Sequence, residues 1–286
     1  MDLFLPQTIE EAVGLLVQHE GARCISGGAT LVAMMNAGLV EPTALISLRQ
    51  IPRLSGIARE GDGRVRIGAM TRHVDTATSK CFEDGQRVVP YAAVRIANRV
   101  VRNMGTMGGS ISFADPAADY LAALTAAEAT IDIASPEGGR SLPIDAFVTD
   151  WYTTALAPDE IVTSITVPAV PPGSIGHYEK LARVSGDFAI VSIAIMAKLE
   201  GDVCTFVRIA VGGCGPAPLR LREAEALLEG TSLSPALISE AGRMLVSISD
   251  PVDDVRASAE YRRTVLPRLL LKAISQVQHT EKAEVA

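Results

Sequence analysis

The sequence predicts an α+β fold in two parts. The chain has 286 residues, which is enough for two ordinary domains that each have a hydrophobic core. Three prolines and a glycine fall within residues 168–173, and such a segment continues neither a helix nor a central strand. Beyond it, two long strand patterns precede several helix patterns, which is the order of an α+β module.

Composition excludes several classes of protein. Apolar residues make up 48% of the chain and charged residues 21%, unlike a disordered or low-complexity chain. The net charge is −7, so we expect no nucleic-acid partner. No apolar run reaches the roughly 18 residues of a membrane helix, and no basic leader precedes an apolar segment at the N-terminus. We therefore expect a cytoplasmic protein without a membrane span.

The four cysteines and four histidines predict no metal site in this chain. No C-x-x-C pair occurs, and no two histidines are three or four residues apart. Neither a zinc site nor an iron–sulfur cluster therefore has its usual ligand spacing. We expect the cysteines to be ordinary buried thiols.

Short strands and helices are predicted in the first part. Thr8-Ile9-Glu10-Glu11 has the form of a capping box, and apolar residues with helical spacing follow it. Strand patterns occur at residues 22–26, 44–48, 64–69, 129–134 and 160–167. Helix patterns occur at residues 30–36, 88–97 and 116–127. Pro116 stands early in the last of these, where its missing N–H costs little.

The C-terminal third is predicted to be a hairpin followed by helices. Strand patterns at residues 188–199 and 203–211 flank the turn pair Gly201-Asp202. Helix patterns follow at residues 219–228, 235–246 and 255–276. We expect the charged tail after residue 276 to fray.

Two glycine-containing segments, each predicted to be a loop, carry the candidate chemistry. Gly27-Gly28 and Gly108-Gly109 are each flanked by small hydroxyl residues, and the first pair lies between a strand and a helix. Glycine lets a ligand approach the main chain, and successive N–H groups form an anion-binding nest. Neither segment is a G-x-G-x-x-G or P-loop motif. From these residues alone, a pyrophosphate site and a pair of ordinary turns both remain open.

The residues around the second segment carry a resemblance. Val101-Arg102-Asn103 precedes it, Asp115-Pro116-Ala117-Ala118-Asp119 follows it, and Tyr178-Glu179-Lys180 comes later. Together these motifs resemble the FAD-binding medium subunit of the molybdenum hydroxylases, the xanthine dehydrogenase and carbon monoxide dehydrogenase family. The match runs in order from about residue 2 to residue 275. It implies a two-part FAD-binding domain of the p-cresol methylhydroxylase (PCMH) type at residues 1–172. A smaller C-terminal α+β domain follows at residues 173–286.

The resemblance also implies which residues contact FAD. Ile96 is expected near the adenine and Asp119 at a hydrogen bond to the cofactor. Val162 is expected to line the isoalloxazine, and Lys180 to lie close to that ring. The phosphate contacts are expected from Cys24, Ile25, Ser26, Gly27, Gly28, Ala29, Thr30, Leu31, Thr106, Met107, Gly108, Gly109 and Ser110. All four glycines keep the family pattern, while the positions that depart from it are Ser26, Ala29, Thr30, Met107 and Ser110.

The implied activity is electron transfer. FAD on this chain would receive electrons from [2Fe-2S] clusters on a small partner subunit and pass them to an external acceptor. A large partner subunit would hold the molybdenum cofactor, in a dimer of heterotrimers, and no residue of this chain would be catalytic. A self-sufficient flavin oxidoreductase and a non-catalytic nucleotide-binding assembly module remain the alternatives.

Overall fold

A computed structural model describes residues 1–285 of the chain, with side chains described through residue 281. In that range the strands are β1 (Asp2–Phe4), β2 (Arg23–Ile25), β3 (Ala44–Ser47), β4 (Ile57–Arg59), β5 (Val65–Gly68), β6 (Thr130–Ser135), β7 (Gly138–Pro143), β8 (Val148–Asp150), β9 (Thr153–Thr154), β10 (Ile161–Val167), β11 (Ile175–Leu181), β12 (Val191–Glu200) and β13 (Val203–Gly212). The α-helices are α1 (Ile9–Gln18), α2 (Leu31–Asn36), α3 (His73–Thr78), α4 (Val88–Arg95), α5 (Arg99–Met104), α6 (Met107–Phe113), α7 (Asp119–Ala126), α8 (Ile144–Phe147), α9 (Arg222–Leu228), α10 (Pro235–Ser247) and α11 (Ala259–Val285). The two-part α+β fold predicted from the sequence is confirmed.

The N-terminal part is a parallel three-stranded sheet in the order β1-β3-β2, with α1 packed on it. The Thr8 hydroxyl accepts a hydrogen bond from the Glu11 N–H at 3.1 Å, as the capping-box pattern predicts. The Glu11 carboxylate, however, accepts from the Gln7 N–H rather than from Thr8. The box therefore closes one residue earlier than in the standard form, and it still fixes the start of α1.

The central part is a five-stranded antiparallel sheet in the order β4-β5-β10-β6-β7. Helix α7 lies at the centre of the largest hydrophobic core, and all eight of its residues are buried. The helix predicted from residue 116 begins at Asp119. The reason is a turn before it, in which the Asp115 carboxylate accepts from the Ala117 N–H at 2.9 Å and Ala118 stays extended.

The C-terminal part is an antiparallel three-stranded sheet in the order β11-β12-β13, and the predicted hairpin around Gly201 is confirmed. Strand β12 is buried on both faces. Ala194 and Met196 belong to the central core with α7, whereas Ile193 and Ile195 pack against α9, α10 and α11. Because this sheet completes the core of the central part, the central and C-terminal parts share a large apolar contact.

The proline-rich segment is fastened to the central part by three hydrogen bonds. The Gln86 side chain donates to the Pro168 carbonyl at 2.8 Å, and the Gly85 N–H donates to the Ser174 hydroxyl at 3.1 Å. The Gly173 N–H donates to the Asp84 carboxylate at 3.2 Å. These bonds hold the connection between the two parts in one path.

A charged cluster also joins the central part to the C-terminal part. Glu128, which follows α7 in the left-handed region at φ 51°, accepts from three guanidinium groups of the C-terminal part. The N···O distances are 2.6 Å to Arg208, 2.7 Å to Arg220 and 3.1 Å to Arg222. Burial alone would raise the pKa of Glu128. The hydrogen bond from Arg220 and the three positive charges lower it by more, so the pKa lies below its ordinary value.

Glu128→Gln is expected to lower the free energy of unfolding by about 1–2 kcal/mol at pH 7, because it leaves partly buried guanidinium groups without their carboxylate. A lowered carboxyl pKa stabilises the fold above the unfolded pKa and loses that effect as the pH falls through the folded value. The difference between wild type and variant should therefore shrink below about pH 4. Denaturant unfolding at pH 7 and at about pH 3 measures this difference. Glu137→Gln, on the exposed β6–β7 turn, is the matched control, and an equal loss there would contradict the assignment.

Two helical features differ from the sequence predictions. The tail after residue 276 was expected to fray, but α11 continues to Val285. Helix α5 has no buried residue, so its sequence carries no apolar periodicity that predicts it. Among the described residues, no helix is long and apolar enough to cross a membrane.

Candidate functional site

The first glycine pair connects β2 to α2 and presents free N–H groups. Gly28 has φ 73°, in the left-handed region that favours glycine. Within residues 1–285, no acceptor is hydrogen-bonded to the main-chain N–H groups of Gly27, Gly28, Ala29 and Thr30. Such a row of unpaired donors before a helix is an arrangement that binds phosphate oxygens.

The sequence pattern predicts a loop at the second glycine pair. The structure instead places this pair in the first turn of α6. Thr106 caps this helix, and its hydroxyl accepts from the Gly109 N–H at 3.1 Å. A Cβ on Gly108 would lie 2.6 Å from the Cβ of Ala69, at the end of β5. The glycines are therefore needed here for close packing of a helix against a strand.

The two glycine segments meet although they lie far apart in the sequence. The Thr106 hydroxyl donates to the Ser26 hydroxyl at 3.1 Å. A Cβ on Gly27 would lie 2.6 Å from the carbonyl carbon of Met104 and still closer to its oxygen. A Cβ on Gly109 would lie 2.7 Å from the Ser26 Oγ. We call this junction of residues 26–30 and 104–110 the cradle.

The cradle fits the diphosphate of FAD. Its first segment offers the unpaired N–H groups, its two hydroxyl residues lie at the junction, and its glycines let the two segments pack closely against each other. Residues 85–114 contain four arginines and no acidic residue, in a chain whose net charge is −7. The stretch of sequence that contains residues 104–110 is therefore basic within an acidic chain.

A cavity of about 570 Å³ opens beside the cradle. Ser26, Gly27 and Thr106 lie on its wall, together with Arg49 from the N-terminal part and Arg72 from the central part. It therefore lies along the border of the N-terminal and central sheets, and it gives the cradle an open side on which a dinucleotide has room.

Asp119 and Lys180, both predicted to contact FAD, form a buried ion pair with each other. The Lys180 Nζ lies 2.9 Å from the Asp119 carboxylate, with side-chain exposures of 3% and 5%. Nζ also donates to the Arg95 carbonyl at 2.9 Å, and the Tyr178 hydroxyl donates to Asp119 at 2.8 Å. Burial raises the pKa of Asp119, and the Lys180 charge and the Tyr178 hydrogen bond oppose that rise.

This arrangement adds Tyr178 to the candidate site. Tyr178 and Lys180 are two residues apart on β11, so both side chains point to the same face of the sheet, towards α7. The sequence motif contained this tyrosine, and its spacing from Lys180 was the signal that should have assigned it to the site. The contacts of Asp119 and Lys180 with FAD stay predictions.

The other predicted residues differ in their exposure. Val162 is 4% exposed and belongs to the central core, next to a β-bulge that shifts the register of β10 before Ser164. The Met107 side chain is likewise buried in that core, so its main chain alone faces the cradle. Ile96 directly follows the last residue of α4, and its carbonyl accepts a hydrogen bond from the Arg102 side chain at 2.6 Å. Among these other residues predicted to contact FAD, the half-buried ones are Cys24, Ile25, Ala29, Leu31, Ile96 and Ser110.

Two sequence families match this chain. The family described as the FAD binding domain in molybdopterin dehydrogenase matches residues 1–170. The family described as the CO dehydrogenase flavoprotein C-terminal domain matches residues 176–277. Together they cover nearly the whole chain.

Relatives and solved structures are similar over the same length. The alpha subunit of the 6-hydroxypseudooxynicotine dehydrogenase complex of Paenarthrobacter nicotinovorans is 33% identical, over 99% of this chain and 97% of its own. The carbon monoxide dehydrogenase medium chain of Hydrogenophaga pseudoflava is 33% identical, over 94% of each chain. A structure of carbon monoxide dehydrogenase from that organism, lacking the Mo-pyranopterin moiety, superposes with a TM-score of 0.93 at 34% identity, covering 98% of this chain and 97% of the other.

Proposed function

The chain belongs to the FAD-binding medium subunits of the molybdenum hydroxylase family, and from that premise we propose that it passes electrons from iron–sulfur clusters on a partner subunit through FAD to an external acceptor. The observation that carries this proposal is the cradle. Its unpaired N–H groups and its junction between Ser26 and Thr106 suit a diphosphate. A bound FAD would supply a centre that accepts electrons one at a time from the clusters and passes them on singly or in pairs.

The chain's own residues bind and orient this cofactor in the proposal. The N–H groups of Gly27 to Thr30 would hold phosphate oxygens, and α6 supports this segment through the contact of Thr106 with Ser26. The buried pair of Asp119 and Lys180 fixes the C-terminal sheet against α7, so that the flavin ring has a rigid wall. Ile96 and the main chain of Val162 complete the site.

We also propose partners and a cytoplasmic location for this chain. A large subunit with the molybdenum cofactor and a small subunit with [2Fe-2S] clusters would assemble with this chain as a dimer of heterotrimers. The names of the relatives, a medium chain and a subunit of a dehydrogenase complex, support a heteromer. The four cysteines are free thiols, which suits the reducing cytoplasm. A domain boundary after residue 172 completes the proposal.

FAD is expected at one molecule per chain, bound without a covalent link. In the two glycine segments, which lie within the described chain, Cys24 is the one cysteine or histidine, and burial raises its pKa to about 12. A neutral, half-buried thiol is a poor nucleophile for flavin attachment. Acid precipitation of the purified chain should release all the yellow cofactor, identified as FAD by chromatography. Flavin retained on the precipitate would contradict the noncovalent site.

Affinity purification of a tagged chain from its native cells tests the heteromer. We expect two further polypeptides, with molybdenum and iron detected by elemental analysis. A monomer that oxidises an organic substrate unaided would instead identify a self-sufficient flavin oxidoreductase. A monomer that binds no flavin would identify an assembly module.

A further inference from the structure

His73 lies directly against the main chain of the cradle. It is the first residue of α3 and is 5% exposed. A Cβ on Gly105 would lie 2.5 Å from the His73 Nε2 and 2.8 Å from its Cδ2, so the imidazole occupies the space that a side chain at Gly105 would need. Gly105 immediately precedes Thr106, the residue that caps α6 and contacts Ser26.

The main chain reinforces this contact. The His73 N–H donates to the Gly105 carbonyl at 3.0 Å, and the Met107 N–H donates to the Thr71 carbonyl at 2.9 Å. Together with the bridge between Arg72 and Thr106, these bonds make a short antiparallel ladder just before the glycines of α6. A shift of His73 would therefore shift Thr106 as well.

Tyr120 fixes the orientation of the ring. Its hydroxyl lies 3.3 Å from the His73 Nδ1, and the two ring centroids are 5.3 Å apart. Tyr120 is fully buried in α7, so its own position is set by the central core. Burial, and secondarily the charge of Arg102, lower the pKa of His73 to about 4, so the ring is neutral at pH 7 and has one N–H to donate.

We propose that His73 is a positioning residue for FAD: held by Tyr120, its ring supports Gly105 and keeps Thr106 where the cradle needs it. This inference rests on the proposed function, because it takes the cradle to be the FAD diphosphate site. The imidazole acts through the main chain of residues 105–107. Its contribution therefore depends on its size and on its hydrogen bond to Tyr120.

The experiment compares His73→Ala with His73→Gln in the full chain, stripped of flavin and titrated with FAD by flavin fluorescence at pH 7.5. His73→Ala should weaken FAD binding about tenfold, because the support and the hydrogen bond are both lost. His73→Gln fills most of the space and keeps a polar end, so it should recover most of that affinity. His177→Gln also removes a half-buried imidazole of lowered pKa, but on β11, and it should leave FAD affinity unchanged.

A second cycle tests the contact with Gly105 itself. Gly105→Ala should weaken FAD binding strongly in the wild-type background and much less in the His73→Ala background, because the obstructing ring is then gone. Thermal melting without FAD shows which variants fold. If a His73 variant does not fold, Tyr120→Phe is used in its place, because it removes the hydroxyl that contacts the His73 ring. Additive effects of His73→Ala and Gly105→Ala, or wild-type affinity in His73→Ala, would overturn the inference. A wild-type chain that fails to bind FAD would instead overturn the proposed function.

Discussion

Gly27→Ala is expected to reduce the FAD content of the purified chain to less than about a tenth of wild type. The added Cβ would lie 2.6 Å from the carbonyl carbon of Met104, a main-chain atom that cannot rotate away. The first glycine segment must therefore move off residues 104–106, and the hydroxyl contact between Ser26 and Thr106 is lost with it. Cofactor content is read from the ratio of visible to ultraviolet absorbance.

Gly14→Ala is the matched control for this substitution. Gly14 lies in α1, where an added Cβ has no neighbour within 4 Å. Alanine there should keep full FAD content and stabilise the fold by about 0.5–1 kcal/mol, because it suits a helix better than glycine. Gly109→Val tests the other side of the cradle, since its Cβ would meet the Ser26 Oγ at 2.7 Å. Normal FAD content in both cradle variants would show that the glycines of these two segments serve packing alone and do not form a cofactor site.

The sequence predicted the glycine pairs as a site, but it predicted one local structure wrongly. A Gly-Gly pair usually indicates a turn, and Gly28 does occupy the left-handed region. Gly108 and Gly109 are helical instead, and glycine is needed there because Ala69 and Ser26 lie too close to α6 for a side chain. That reason depends on neighbours from other parts of the chain, and local sequence patterns do not contain it.

Periodicity predicted the elements that bury one face and missed those that do not. The hairpin of β12 and β13 was predicted from long apolar runs around Gly201-Asp202. Helix α5 escaped prediction because none of its residues is buried. Its start is marked by Asn98, whose side chain accepts from the Val101 N–H at 3.1 Å, so a capping residue was the one available signal.

The pairing of Asp119 with Lys180 was outside the reach of the sequence, because the two residues lie on different parts of the fold. Each was assigned separately to FAD through the family motif. The structure shows that Lys180 is already neutralised by a carboxylate at 2.9 Å. Its loss should therefore act first on the stability of the junction between the two parts, and less on the potential of a nearby flavin.

Lys180→Met is expected to lower the free energy of unfolding by about 3 kcal/mol at pH 7.5, because it leaves the Asp119 carboxylate buried without its cation. Denaturant unfolding of the FAD-free chain measures the loss. Lys198→Met is the matched control: this β12 lysine pairs with the exposed Glu200 at 3.2 Å, and its loss should cost less than about 0.5 kcal/mol. An equal cost for the two variants would show that the buried pair adds nothing specific.

The dependence of this loss on pH identifies its cause. Burial raises the pKa of Asp119 above its ordinary value of 3.8, so the folded chain retains this proton to higher pH than the unfolded chain. The stability that this carboxyl contributes is therefore present at low pH and falls as the pH rises through that window. Removing Lys180 removes a charge that holds the Asp119 pKa down, so the window extends upward. Lys180→Met should consequently be less destabilising at pH 5 than at pH 7.5, and Asp119→Asn in the same chain should recover most of the loss at pH 7.5. A loss that is equal at both pH values and is not recovered by Asp119→Asn would assign it to altered side-chain packing.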